Sequence, residues 1–370
     1  MEFKCVKADL NNAVQVVEKA VSIRSTVAQI AGNILLEAKN NSLKLTANDL
    51  EIGIEFSIDT NVIEEGAVLA PAKTLSSIIA KLSEGEVSFK VDSNHNILIT
   101  SKQSKPNIYG LAIDDFPVLS KVTSGKNLKI EADALREMIR QSIIAVSFDE
   151  GKPFLNGILV EKEKNELRFV ATDGFRLAKK TTTLSEDTAG NLSVIVPSRA
   201  LQEISRILQQ EDYQGVVDIA ITEKQISFSF KSLYLVSRLI QGQFPDYRNV
   251  IPKEQKTRIV MSRKDLLEAA DRASIVASAS TNVIKLEMVD QKLLITASTP
   301  TIGNISELVD VQKEGEDMQP IAFNVRLVLD VIRNIQEDNI VLVLNGITSA
   351  GVIIPKENKD FTYVVMPIRV

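Results

Sequence analysis

Apolar and polar positions along the chain follow two rhythms. Stretches such as Ser42-Leu43-Lys44-Leu45-Thr46 and Gln225-Ile226-Ser227-Phe228-Ser229-Phe230 alternate with period two, as do 233–240 and 257–261. That is the pattern of antiparallel strands with one buried face. Elsewhere apolar residues recur at helical spacing: Leu75, Ile78, Ile79, Leu82; then Leu201, Ile204, Leu208; then Val328, Val331, Ile332, Ile335. Such a stripe predicts a helix laid on a core, and these helices should begin near Pro71, Pro197 and Asn324. An earlier helix is predicted before each of them, opened by Ala8-Asp9-Leu10, Ala132-Asp133-Ala134-Leu135 and Arg263-Lys264-Asp265-Leu266.

The two rhythms recur together three times, restarting near residues 1, 126 and 256. One phrase marks the same place in each copy: Leu45-Thr46-Ala47-Asn48-Asp49, Val170-Ala171-Thr172-Asp173 and Ile295-Thr296-Ala297-Ser298-Thr299, whose alanines lie 124 and 126 residues apart. Each copy ends on a strand running into proline, at Phe116-Pro117, Phe244-Pro245 and Met366-Pro367. A period of this length is that of a domain, not of a solenoid repeat. The expected fold is α+β: three tandem domains, 1–124, 125–252 and 253–370, each with two helices on an antiparallel sheet. The polar segments 123–127 and 252–257 serve as short connectors.

Composition narrows the function. The chain has 370 residues, 44% of them hydrophobic, enough for a core in each third. No apolar run reaches the roughly eighteen residues that span a bilayer, and Met-Glu-Phe-Lys-Cys is not a secretion signal, so a cytoplasmic protein without membrane contact is expected. The single cysteine, Cys5, excludes an internal disulfide and any multi-cysteine metal site. The single histidine, His95, sits in the turn-like Asp92-Ser93-Asn94-His95-Asn96. Common triads and zinc sites cannot be assembled from this set, and neither phosphate-binding glycine motif occurs. The reading is therefore no catalytic residue, no metal and no cofactor. An enzyme built on Asp173 and Arg176 is the rival, but it needs a second acidic or nucleophilic group, and the third copy carries Thr299 in place of Asp173.

The formal net charge is −5, yet the positive charges are placed. Lys73, Arg199 and Arg326 each stand two positions before the apolar stripe, and Arg206 and Arg333 follow seven residues after the latter two. At about 100° per residue, seven steps return to nearly the same side, opposite the core. Lys81 plays a looser version of this part in the first copy, and in the first helices Arg140, Arg272 and Lys19 point away from the core. Matching basic faces on a net-negative protein suit one phosphate-binding surface, with contacts that ignore base sequence. The alternative from charge alone is that these residues only solvate exposed helix faces; glutamate at Arg199, Arg206, Arg326 and Arg333 separates the two.

Three further motifs appear in order: Ala171-Thr172-Asp173-Gly174-Phe175-Arg176-Leu177-Ala178, Phe244-Pro245-Asp246-Tyr247-Arg248-Asn249-Val250-Ile251-Pro252, and Tyr363-Val364-Val365-Met366-Pro367-Ile368-Arg369-Val370. With the repeats, they resemble the β subunits of bacterial DNA polymerase III, the replicative sliding clamps, over all 370 residues. The resemblance implies a head-to-tail dimer closed into a six-domain ring around duplex DNA, held there by topology and conferring processivity. It implies a hydrophobic peptide cleft at Leu155, Thr172, Gly174, Phe175, Arg176, Leu177, Pro245, Asn249, Val250, Val364, Met366, Pro367, Ile368 and Arg369. The implied partners are the DNA polymerase III α subunit and other polymerases, the clamp loader, and mismatch-repair and ligase proteins. DNA contacts at Arg24 and Lys152 would join the helix cations. Pro106 and Ile108 should meet Ile275 and Val276 across the dimer, flanked by Lys102 and Lys105 on one side and Glu307 on the other. Phe175 and Asn249 depart from the family's usual histidine and arginine, and Phe175 makes the cleft more apolar; the alternative to the clamp is a peptide-binding scaffold without DNA encirclement.

Overall fold

The computed structural model describes residues 1–21, 31–102, 104–185 and 190–369; Arg24 lies outside them. Among the described residues there are six α-helices: α1 (Lys7–Val17), α2 (Ala72–Lys81), α3 (Ala132–Ile143), α4 (Ser198–Gln210), α5 (Arg263–Ala277) and α6 (Val325–Asn334). They start where the pattern places them. Pro71 and Asn324 stand at the N-cap positions of α2 and α6. The Asn324 side chain accepts from the Arg326 amide at 3.0 Å, and Ser262 caps α5 in the same way through Asp265 at 3.3 Å, satisfying amides that a helix start leaves unpaired. The stripes are buried, apart from half-buried Ile78, and Ile207 joins the stripe of α4.

The chain divides into two compact units. The first, Met1–Ala132 with Arg199–Leu239, holds two antiparallel sheets. One has the order Asn61–Glu64, Glu2–Val6, Glu86–Val91, Asn96–Thr100, Asn107–Tyr109; the other has eight strands, ending Gln225–Phe230, Leu233–Arg238, Ile52–Asp59, Ser42–Asn48, Asn33–Lys39, Gly66–Pro71. Asn40 and Asn41, at φ 50° and 55°, form the two-residue turn between Asn33–Lys39 and Ser42–Asn48; asparagine tolerates the left-handed backbone that such hairpins require. His95 lies in the expected turn.

The second unit, Asp133–Ser198 with Ile240–Val370, is organised on a twelve-stranded sheet. Its central run is Glu166–Thr172, Arg176–Thr183, Phe361–Val365, Gly351–Pro355, Asn339–Leu344, Thr257–Ser262. Sheets do not stop at repeat boundaries. Ile52–Asp59 of the first repeat pairs with Leu233–Arg238 of the second, and Arg176–Thr183 of the second pairs with Phe361–Val365 of the third. Each boundary is thus a seam of continuous backbone hydrogen bonding, which leaves no exposed strand edge there.

Candidate functional site

The candidate cleft grows from a turn. After strand Glu166–Thr172, one Asp173 carboxylate oxygen accepts the amides of Phe175 and Arg176, at 2.9 and 3.0 Å. The Thr172 hydroxyl donates to the Arg176 carbonyl at 2.6 Å and accepts the Gly174 amide at 3.1 Å. Gly174 sits at φ +91°, a conformation open to glycine. Asp173 is therefore a turn-former, accepting from the backbone it folds. Its other oxygen holds Arg176 Nε at 3.0 Å, while Arg176 also pairs with Asp330 of α6. The Arg176 side chain is only 12% exposed. Burial opposes its charge, but Tyr363, Asp330 and Asp173 outweigh that and hold its pKa above the ordinary guanidinium value. Arg176 thus positions the turn against α6.

Beneath the turn lies an apolar cluster that includes Leu159, Val170, Leu177, Tyr247, Val341, Val352 and Val364. Leu177 stands opposite Val364 in the ladder. Leu155, Leu177 and Val364 are buried, and Leu177 and Val364 are part of this apolar floor. The segment after strand Leu233–Arg238 crosses this floor: Ile240, Phe244 and Ile251 pack on it and Tyr247 enters it. The Tyr247 hydroxyl donates to Glu161 at 2.7 Å. Burial and that hydrogen bond push its pKa up to about 12. Asp246 caps the short turn Tyr247–Asn249 and accepts the Asn249 side-chain amide at 2.7 Å.

What remains open to solvent is Phe175 at 69%, Val250 at 44% and Met366 at 40%, with exposed Gly174, Pro245, Asn249 and Arg369 and half-buried Thr172, Pro367 and Ile368. The Met366 amide donates to the Phe175 carbonyl at 2.9 Å, and the Ile368 amide to Ala322 at 2.8 Å, so the C-terminal tail is tied down beside the turn. Three adaptable apolar side chains over a packed floor suit a linear apolar segment. Sequence reading missed Asp330 and Glu161, and named Tyr247 only as part of a motif. The only local signal was an acidic residue within the otherwise basic and apolar α6.

The cations divide into two groups. Lys73, Lys152 and Arg326 are exposed and have no ionic partner among the described residues. The others are already paired: Arg199 with Asp49 at 2.5 Å, Arg206 with Glu203 at 2.8 Å, Arg333 with Asp271 at 2.7 Å. Lys152 extends from a loop that Asp149 folds by accepting the Gly151 amide at 2.9 Å.

The expected contact residues for a second copy need adjustment. Asn107–Tyr109 is an edge strand whose alternation turns Ile108 inward, 7% exposed, and Tyr109 outward, 78% exposed. Pro106 is half-buried. On α5, Ile275 is exposed at 69% and Val276 is buried. Tyr109 and Ile275 are thus the outward side chains; Ile108 and Val276 support them from their own cores. Glu307 is already held by two bonds from Arg272, at 2.9 and 2.7 Å, which lower its pKa.

Among the described residues no helix is long and apolar enough to cross a membrane, and no cluster of His, Cys, Asp or Glu could hold a metal ion. Comparison with known proteins gives one family throughout. Residues 1–120, 129–246 and 248–369 match, in order, the N-terminal, central and C-terminal domains of the DNA polymerase III beta subunit. The chain is 32% identical to the beta sliding clamp of Bacillus subtilis, covering 100% of both chains, and 31% identical to that of Synechocystis, covering 100% and 99%. The crystal structure of the Bacillus subtilis DNA polymerase sliding clamp matches with TM-score 0.95 at 31% identity, covering 100% and 99%. A Pseudomonas aeruginosa sliding clamp solved bound to griselimycin matches with TM-score 0.94 at 29% identity, covering 100% of each chain. Three consecutive domain matches over an α+β repeat array make the chain a member of the DNA polymerase III beta subunit family, the bacterial beta sliding clamps.

Proposed function

We propose that two copies of this chain close head to tail into a ring of six clamp domains, bounded in each copy at 1–124, 125–252 and 253–370, that encircles duplex DNA and tethers polymerases to it. The observation that carries the reading is where sheet edges are open and where they are not. Both repeat boundaries are sealed by continuous ladders. The outer edge of Asn107–Tyr109 in the first repeat is unpaired among the described residues, and so is one side of the first part of Gly303–Gly315 in the third, since only 311–315 reach Thr257–Ser262. Open edges at the two ends of a repeat array invite pairing with another copy. Tyr109 on one edge, with Ile275 and Leu308 beside the other, supplies exposed apolar contact.

DNA contact falls to Lys73, Lys152 and Arg326, with Arg199, Arg206 and Arg333 contributing from within ion pairs. Charges already paired in the protein give weak phosphate contact, which sliding requires; retention then comes from topology, and salt weakens only the contacts. The chain acts as a non-catalytic, cytoplasmic processivity factor. Its cleft, rimmed by Phe175, Val250 and Met366, takes linear apolar motifs of polymerases, the clamp loader and mismatch-repair and ligase proteins.

The test is retention on a nicked circle after loading by a clamp loader with ATP. The ring reading expects the protein to stay bound through a high-salt wash and to leave when the circle is cut. Binding that ignores the cut would favour the peptide scaffold.

A further inference from the structure

The cleft is not the only opening on its sheet. Ladder register aligns a row of side chains across five strands: Leu177 opposite Val364, Val364 opposite Val352, Val352 opposite Val343, and Val343 opposite Arg258. Leu177 ends this row at the cleft. Arg258 ends it at a cavity of about 290 Å³ that Ile251 and Pro252 also line. Ile251, Val343, Val352 and Ile354 give the cavity an apolar floor, and Arg258, Lys356 and Lys359 stand around it with one acid, Glu254. Lys356 and Lys359 are exposed and form no ion pair among the described residues. Arg258 Nε is buried with no hydrogen-bond partner among them, and its nearest carboxylate, Glu314, is 3.9 Å from another of its nitrogens.

The Arg258 side chain is 36% exposed and its ion-pair contact with Glu314 is 3.9 Å long, so the guanidinium keeps accessible donors to offer an anion in the cavity. A net positive rim on a net-negative protein selects an anion, and the apolar floor selects an aliphatic group. The volume, at the lower end of ligand sites, fits one side chain with its flanking backbone. No aromatic residue lines the cavity, so the base-stacking platform of single-strand nucleic-acid sites is missing. We propose that this cavity docks an acidic peptide segment with one aliphatic anchor from a protein partner, its carboxylate on Arg258 and its flanking acids on Lys356 and Lys359.

The test is fluorescence anisotropy of a labelled synthetic peptide, acidic at both ends and centred on Leu-Ile, titrated with the full chain. Expected is saturable binding that weakens at least tenfold in the K356E/K359E double variant, weakens with added salt, and is lost when Leu-Ile becomes Ser-Ser. Met366→Ala should leave this binding unchanged. Both lysines are exposed, so an unaltered melting curve for the double variant separates lost binding from lost folding. The proposal is overturned by absence of saturable binding, by binding that survives charge reversal but fails with Met366→Ala, or by equal binding of an oligothymidine at the same residues.

Discussion

The two seams between repeats are built alike and finished differently. At the first, Asp49 accepts the amides of Glu51 and Ile52 at 3.0 and 2.8 Å; at the second, Asp173 accepts those of Phe175 and Arg176 at 2.9 and 3.0 Å. The Arg238 amide donates to the Glu51 carbonyl at 3.0 Å, just as that of Met366 donates to Phe175 at 2.9 Å. Gly53 faces Val236 where Leu177 faces Val364. With the backbone held in common, side chains make the difference: Glu51 and Arg238 at the first seam stand where Phe175 and Met366 stand at the second. The first seam also lets Leu119 settle over Gly53, where even a Cβ would come within 1.9 Å of it. The fold thus provides two equivalent grooves, and the residue choices leave one charged and one apolar.

The strongest way to break this contrast is to give the second seam the first seam's side chains. Phe175→Glu with Met366→Arg should weaken a labelled polymerase-derived clamp-binding peptide about 100-fold, roughly 2.7 kcal/mol. The backbone bond between the two positions needs neither side chain, so the melting temperature should hold. Next are the arginines that hold the turns. Arg176→Ala leaves two partly buried carboxylates without their partner and should cost about 2 kcal/mol in urea unfolding. Arg199→Ala should cost about 1 kcal/mol, because it removes a close ion pair from one carboxylate, Asp49, where Arg176→Ala removes them from two. Equal losses would mean the two turns are held alike.

Much of this was legible in the sequence. The helices, their starts, the threefold repeat and the His95 turn follow from local periodicity and capping chemistry, which a linear reading sees. Phe175 and Met366, the exposed side chains of the proposed cleft, were named through motifs. The sheets running through the seams were not legible, because pairing of Ile52–Asp59 with Leu233–Arg238 joins segments far apart in the chain with no local mark. The same applies to Arg176 with Asp330 and Tyr247 with Glu161. For Ile108 and Tyr109 the strand was visible, but its alternation had to be set by a core known only from the fold.

Smaller effects sharpen the contrast further. Tyr247 enters the second seam's floor two residues after its Phe-Pro, as Leu119 does at the first seam, but it brings a hydroxyl. Tyr247→Phe should cost about 1 kcal/mol, since Glu161 then keeps only its bonds from Arg248. The hydroxyl's pKa is raised in the folded chain to about 12, above the ordinary value of about 10. Folding therefore favours the protonated form: its contribution is complete below about pH 10 and is lost as pH rises through about 12. Phenolate absorbance should show one fewer late-ionising tyrosine in Tyr247→Phe. Smallest, Gly53→Ala should cost about 1 kcal/mol as the half-buried Leu119 side chain moves aside, with no change in peptide binding at the second seam.

The most direct measurement is hydrogen–deuterium exchange of the full chain with and without the polymerase-derived peptide. New protection should appear at 172–177, 245–250 and 364–369, with none at 48–53 or 233–239. Protection at the first seam, or equally at both, would contradict the assignment of peptide binding to side-chain choice on a shared backbone.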